Sequence, residues 1–367
     1  MAEKKRRPGH RLIALMAAAV IMLSVCGFRA PEPSPAEQAS STQADDGQAP
    51  SGKIYLYGEL HSDEFILDME FALWDTYYHD NGMRDLFIEY PCYSAEFLNL
   101  WMVSEDDGIL DELFRDLEGT AAATAQNRAF YERIKEECPE TVFHGTDVGH
   151  QYDTTGARYL AYLEQTGQED SPAYLRTQAV IEQGKRYYLQ GDDIYRETMM
   201  AKNFILEYTL LDGADVMGIY GAAHTGTDAM DFTTGTVPSM ASQLAQRFGE
   251  ALHAQDLSQI PRRVDTLELG EKTYTASYFG RQDLSSVFPQ YQYREYWRLD
   301  DAYEDFKDCP AIGETLPYNN YPMSIEEGQV FVIDYTLKDG SVERRYYRSD
   351  GSVWQDRPTT EGFSIDD

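Results

Sequence analysis

Cysteine is scarce in this chain: Cys26, Cys92, Cys138 and Cys309 are the only four in 367 residues, and no pair has CxxC spacing. That excludes a disulfide framework and a zinc ribbon, and it predicts buried thiols with at most one bridge. Positive charge is scarce too. Thirty-one Lys and Arg stand against 63 Asp and Glu, for a net charge of −32. Such a field repels phosphate backbones and anionic lipid surfaces, so nucleic acid is excluded as a partner. It fits either a solvated surface that keeps an exported chain soluble or a surface that attracts cations. No Gly-x-Ser-x-Gly nucleophile elbow occurs and no internal repeat is present. Long apolar runs are absent apart from one at the start.

That run is Leu12–Phe28, preceded by the basic stretch "MAEKKRRPGHR". A basic region followed by a short apolar one is an export signal, and residues 1–28 are expected to act as a signal peptide or as a membrane anchor. Leu23-Ser24-Val25-Cys26 resembles a bacterial lipobox, in which Cys26 would be lipidated. The expected location is therefore extracytoplasmic, either associated with the cell membrane of a bacterium through lipid or anchor, or secreted. Residues 1–26 carry a charge of +4 (Lys4, Lys5, Arg6, Arg7 and Arg11 against Glu3), so the rest stands at −36. Residues 29–53 are rich in Pro, Ala, Ser and Gln and nearly free of large apolar side chains. They read as a disordered tether.

The remaining chain is 42% hydrophobic by the whole-sequence figure, enough for a sizeable core. Short apolar runs alternate with helical patterns: "IYLYGELH", "DLFIEYP", "TVFHGTDV" and "ADVMGIYGAAHTG" read as strands. The expected fold is α/β, a mostly parallel central sheet with helices on both faces, over residues 54–328. After Val264 the pattern alternates apolar and polar residues, and part of it is expected to complete the sheet. Asp339-Gly340 and Asp350-Gly351 are hairpin turns, predicting a small C-terminal β-hairpin appendage over 329–367.

Functional groups in such folds gather beyond the carboxyl ends of the strands. The first predicted strand ends at Glu59 and His61, the second at Glu89, the third at Asp147 with His150 beyond, and the fourth at His224. Glu59 and His61, two apart on extended backbone, share one face. Burying charge four times at one edge is costly unless the groups compensate one another. Two chemistries suit them. Imidazoles and carboxylates could bind a divalent metal, with Glu59, His61, Glu89 and His224 as ligands and Asp147 and His150 as secondary candidates. Alternatively a His beside a carboxylate could activate water without metal. His144, His79 and His253 are expected to be structural or surface residues, the last two on helices.

"GELHSDEF", "LFIEYP", "GTDV", "RETMMAKNF" (Arg196 to Phe204) and "YGAAHTG" occur in that order. Together they resemble the superfamily of erythromycin esterases and ChaN-like haem-binding lipoproteins and, more distantly, the TIKI/TraB proteases. The resemblance spans about residues 54–226. It implies an active cleft containing Glu59, His61, Glu89 and His224, with Arg196 and Glu197 on a helix that closes it. It implies a non-serine hydrolase that cleaves an ester or amide in a small-molecule or peptide substrate. The alternative it implies is a haem- or metal-binding surface lipoprotein. "GAAHTG" is shorter than the erythromycin esterase motif and closer to the ChaN and TIKI style, which points away from a macrolide lactone as the substrate.

Overall fold

The computed structural model describes residues 52–354 and 357–365. The expected export signal, the lipobox at Cys26 and nearly all of the tether lie outside the described residues. Among those described, no helix is long and apolar enough to cross a membrane.

The first part of the described chain alternates strand and helix: β1 (Ile54–Glu59), α1 (Glu64–Asn81), β2 (Asp85–Ile88), α2 (Cys92–Met102), α3 (Gly108–Asp116), α4 (Ala125–Glu137) and β3 (Val142–Gly145). There follow α5 (Ala157–Gln165), α6 (Pro172–Gln190), α7 (Asp193–Thr209), β4 (Val216–Gly221), α8 (Met240–Phe248) and β5 (Leu252–Asp256). The five strands pair in the order β3-β2-β4-β1-β5, and every pairing is parallel. The period of two in each strand sorts its side chains. Tyr57, Leu86, Ile88, Met217 and Ile219 face a core shared with α1, α3 and α4. Leu56, Phe87, Val216 and Tyr220 face another shared with α7 and α8. Helices thus cover both faces, as the sequence predicts.

Helix α1 begins where Asp63 accepts from the backbone N–H groups of Phe65 and Ile66, at 3.1 and 3.3 Å. It ends at Gly82, whose φ of 71° is the left-handed cap that glycine adopts without strain.

The remaining strands form a second sheet, and here the structure corrects the expectation. The second sheet comprises β6 (Arg263–Leu269), β7 (Lys272–Asp283), β8 (Tyr291–Leu299), β9 (Ala311–Pro317), β10 (Val330–Leu337), β11 (Val342–Arg348), β12 (Val353–Trp354) and β13 (Arg357–Phe363), with the short helix α9 (Tyr303–Phe306) between β8 and β9. The order is β12-β13-β11-β10-β8-β7-β6, with β9 on β13, all antiparallel. The tyrosine-rich segment therefore does not complete the parallel sheet, and the C-terminal strands are not a small hairpin appendage. A boundary at 328/329 falls between β9 and β10 of one sheet. The physical reason is β10, "VFVIDYTL", which is buried on both faces. Val330 and Val332 pack with Trp297 and Phe306, while Phe331 and Ile333 pack with Tyr296 and Tyr321. A strand so apolar on both sides needs neighbours on both edges, and β8 and β11 supply them.

The fifth parallel strand is the edge strand β5, "LHAQD", which places His253 on a strand rather than on a helix. Four of its five residues are not buried, so no apolar pattern marks it.

Candidate active site

The order β2-β4-β1 at the middle of the parallel sheet places the end of β4 between the ends of the other two. Glu59 lies opposite Gly221 in the β1–β4 register. Glu89 follows β2, and its Oε2 accepts a hydrogen bond from the Gly221 N–H at 2.6 Å. After β1 the chain turns sharply through Ser62, at φ 65°. His61 folds back so that its Nδ1 lies 2.9 Å from Glu59 Oε1. Two glycines allow this crowding. A Cβ on Gly58 would lie 2.4 Å from Thr225 Oγ1, and one on Gly221 would lie 3.3 Å from both Glu89 Oε2 and His61 Nε2.

Arg196, on α7, ties the strand ends together. Its Nε and Nη2 donate to the two oxygens of Asp147 at 3.0 and 2.7 Å, and Nη2 also donates to Glu89 Oε1 at 2.5 Å. His224 Nδ1 lies 2.5 Å from Glu197 Oε1, its Nε2 is 3.5 Å from Glu89 Oε1, and Glu197 Oε2 accepts from the Met240 N–H at 2.7 Å. His150 Nε2 meets Asp147 Oδ2 at 2.9 Å and its Nδ1 meets the Tyr188 hydroxyl at 2.5 Å. The structure therefore brings together every candidate site residue: Glu59, His61, Glu89, Asp147, His150, Arg196, Glu197 and His224. His144 stands apart and is structural, with Nε2 2.8 Å from Asp85 and its ring stacked on Phe87.

Charge pairing sets the protonation states. The hydrogen bond to Glu59 lifts the His61 imidazole to about 9. Burial disfavours charge on His224, but Glu89 and Glu197 outweigh it and raise the ring to about 10. Burial would likewise raise Glu89 and Asp147. His224 and Arg196 hold Glu89 well below the carboxylate range, and Arg196 and His150 do the same for Asp147.

A cavity of about 290 Å³ opens on this edge. Glu59, His61, Glu89, Asp147, His150 and Arg196 line it, whereas His224 faces a separate pocket of about 130 Å³. The His61 side chain is 44% exposed and that of His224 only 12%. His61 is thus the imidazole that opens on the cavity. His224 supports Glu89 from behind. No serine or cysteine lines either pocket. Cys92 and Cys138 are buried free thiols, and Cys309 is free and partly exposed.

The residues do not suit the expected metal. Among the described residues, the one set of three or more His, Cys, Asp or Glu with ligand atoms within 4.8 Å of one another is Asp75, His79 and Cys138, none of which lines the cavity. Glu59, His61, Glu89 and His224 do not meet that spacing, and Asp147 and His150 are bonded to each other. Between Glu89 and Asp147 the positive charge is already supplied by Arg196. The cavity volume lies at the small end of the ~300–1,000 Å³ usual for ligand pockets, tight for a haem macrocycle.

Sequence reasoning missed Glu70, which is wholly buried on α1 and lines the cavity. Its signal was present: it falls within the apolar stripe Ile66, Leu67, Phe71 and Trp74 that α1 buries.

No protein-family model matches the chain, and no curated protein matches it in sequence. Among solved structures it is similar to a Bacillus cereus protein, at 12% identity and a TM-score of 0.40 over 56% of this chain and 65% of that one. It is also similar to a succinoglycan biosynthesis protein, at 14% identity and a TM-score of 0.42 with the same coverage. The match therefore spans just under two thirds of the length of these two. A third is a mutant of the erythromycin esterase EreC in its open conformation, at 11% identity and a TM-score of 0.42 over 68% of this chain and 82% of that one. Similarity at this level leaves the chemistry to be argued from the site itself.

Proposed function

We propose that this protein is a hydrolase that uses an activated water molecule to cleave an ester or amide. The observation that carries the reading is the Glu59–His61 pair, opening on a cavity that offers no serine or cysteine nucleophile. In this reading Glu59 orients the ring through Nδ1, leaving Nε2 to take a proton from water held near Gly221. Arg196, fixed by Asp147 and Glu89, provides the positive charge against which a carbonyl oxygen develops its negative charge. Glu197 and His224 keep Glu89 in place. His61 is the base and acts only when neutral.

Export fits the reading: a basic and apolar N-terminus, a tether and an acidic body would place the hydrolase outside the cytoplasm, held by an anchor or by lipid on Cys26. Its partners would then be small-molecule or peptide substrates at the cell surface.

A panel of ester and peptide substrates tests the proposal on the purified protein, its His61→Ala and His224→Ala variants, and metal-stripped samples. Loss of about 10²–10⁴ in kcat is expected for His61→Ala, a smaller loss for His224→Ala, and none on chelation. Turnover of no substrate, or an active His61→Ala, defeats the proposal. Haem or metal uptake that depends on His61 and His224 would favour a binding role instead.

A further inference from the structure

Glu70 is the only carboxylate among the described residues with both oxygens buried and without a partner. It sits midway along α1 with no exposed surface, it is one of the residues that wall the cavity, and Glu59 is close enough for its charge to act on it. A carboxyl kept for the fold alone would be paired or replaced by an apolar group, since an unmatched buried one costs stability. The cavity wall around it is otherwise apolar or aromatic: Leu67, Ile88, Phe130, Tyr131 and Ile219. Tyr90, which also lines it, has a buried hydroxyl beside that of Tyr131.

We propose that this part of the cavity recognises an organic cation, a primary ammonium group on the substrate, with Glu70 as its counter-ion. The word substrate rests on the hydrolase reading; the binding does not. Among the described residues no protein cation pairs with Glu70. Arg196 is taken by Asp147 and Glu89, and the His61 ring by Glu59. Glu59 from β1 acts on Glu70 directly, Tyr131 from α4 feels both carboxylates, and Tyr90 after β2 feels Glu59 and Glu89. None of them compensates a negative Glu70. Burial and Glu59 keep its carboxyl well above the carboxylate range. An entering ammonium supplies the missing charge and lets Glu70 ionise, while the tyrosine and phenylalanine faces favour a cation further. A neutral alcohol supplies hydrogen bonds only.

Calorimetric titration of the full chain with benzylammonium and with benzyl alcohol, at pH 7 and 0.15 M salt, tests this without any turnover. Wild type is expected to bind benzylammonium at least tenfold more tightly than the alcohol. Glu70→Gln and Glu70→Met should each abolish that preference, and His61→Ala should keep it. Equal affinity for the two probes in wild type, or a preference that survives in both Glu70 variants, overturns the cation pocket. A preference present in wild type and His61→Ala, with no ester or amide turned over, would sink the hydrolase reading alone.

Discussion

Arg196 and Asp147 are joined by two parallel hydrogen bonds, from Nε and Nη2 to the two carboxylate oxygens at 3.0 and 2.7 Å. Asp147 is 1% exposed, so this fork spans a buried gap between α7 and the loop after β3. Its geometry needs the flat guanidinium: an ammonium can meet one oxygen well, and not two at once while also reaching Glu89. The pair fixes where the helix sits above the strand ends.

Arg196→Ala takes from two buried carboxylates the cation they share, leaving Glu89 only His224 and Asp147 only His150, and should cost up to about 3–5 kcal/mol. Arg196→Lys keeps the charge and should cost less, yet still lower kcat, because the fork is lost. Urea denaturation with a parallel rate measurement checks both. A lysine variant with unchanged kcat would show that charge alone suffices.

If the protein is the proposed hydrolase, the Glu59–His61 pair makes its activity depend on pH. With its imidazole raised to about 9, His61 is protonated at neutral pH and cannot accept a proton. The rate kcat/KM should therefore climb as pH rises through about 9. Glu59→Gln removes the acceptor that holds the proton, so the limb should move down towards the ordinary histidine value of 6.5. For stability the sign is opposite. The charged pair contributes fully below 6.5 and its contribution fades as pH rises through about 9. That contribution is small, because the ring is nearly half exposed. Rate profiles of both proteins from pH 6 to 10 decide the matter.

Gly221→Ala is a probe of crowding alone. The backbone there, φ −50° and ψ 137°, suits any residue. The added methyl would lie 3.3 Å from Glu89 Oε2 and from His61 Nε2, tighter than ordinary contact. Activity should fall roughly 10–100-fold through misplacement of the base, with stability changed by no more than about 1–3 kcal/mol. Unaltered kinetics would place the water elsewhere.

Glu70→Met should stabilise the protein, by about 1–3 kcal/mol, since it removes an unpaired buried carboxyl and refills its volume. Thermal or chemical denaturation reads this directly. A destabilised variant would mean that Glu70 has a structural partner.

The placement of much of the candidate site was legible because strand ends are marked twice over, by an apolar run that stops and by a charged residue where it stops. Glu59, Glu89, Asp147 and His224 all carry that mark. The pairing of Arg196 with Asp147 was not legible, because nothing along the chain says which residue of α7 faces which loop. Glu70 hid inside an apolar stripe. β5 hid because an edge strand of Leu, His, Ala, Gln and Asp has no period to read. The second sheet was misjudged for a different reason. Its alternation is visible strand by strand, but besides its neighbour β7 the strand β8 pairs with β10, which starts some 30 residues after β8 ends, and pairing at that distance leaves no local trace.

Asp63 serves two parts of the molecule at once. One oxygen caps α1 just after His61, and the other takes the side chain of Arg262, next to the start of β6. The cap therefore depends on chain that lies past the last parallel strand. A fragment cut before Arg262 would keep every residue of the proposed catalytic edge and still lose one anchor of the turn that presents His61. The two sheets are, in this sense, inherited together: chain leading into the antiparallel one braces the turn that carries His61, and trimming the protein to its α/β half would be expected to loosen that turn before it loosened the fold.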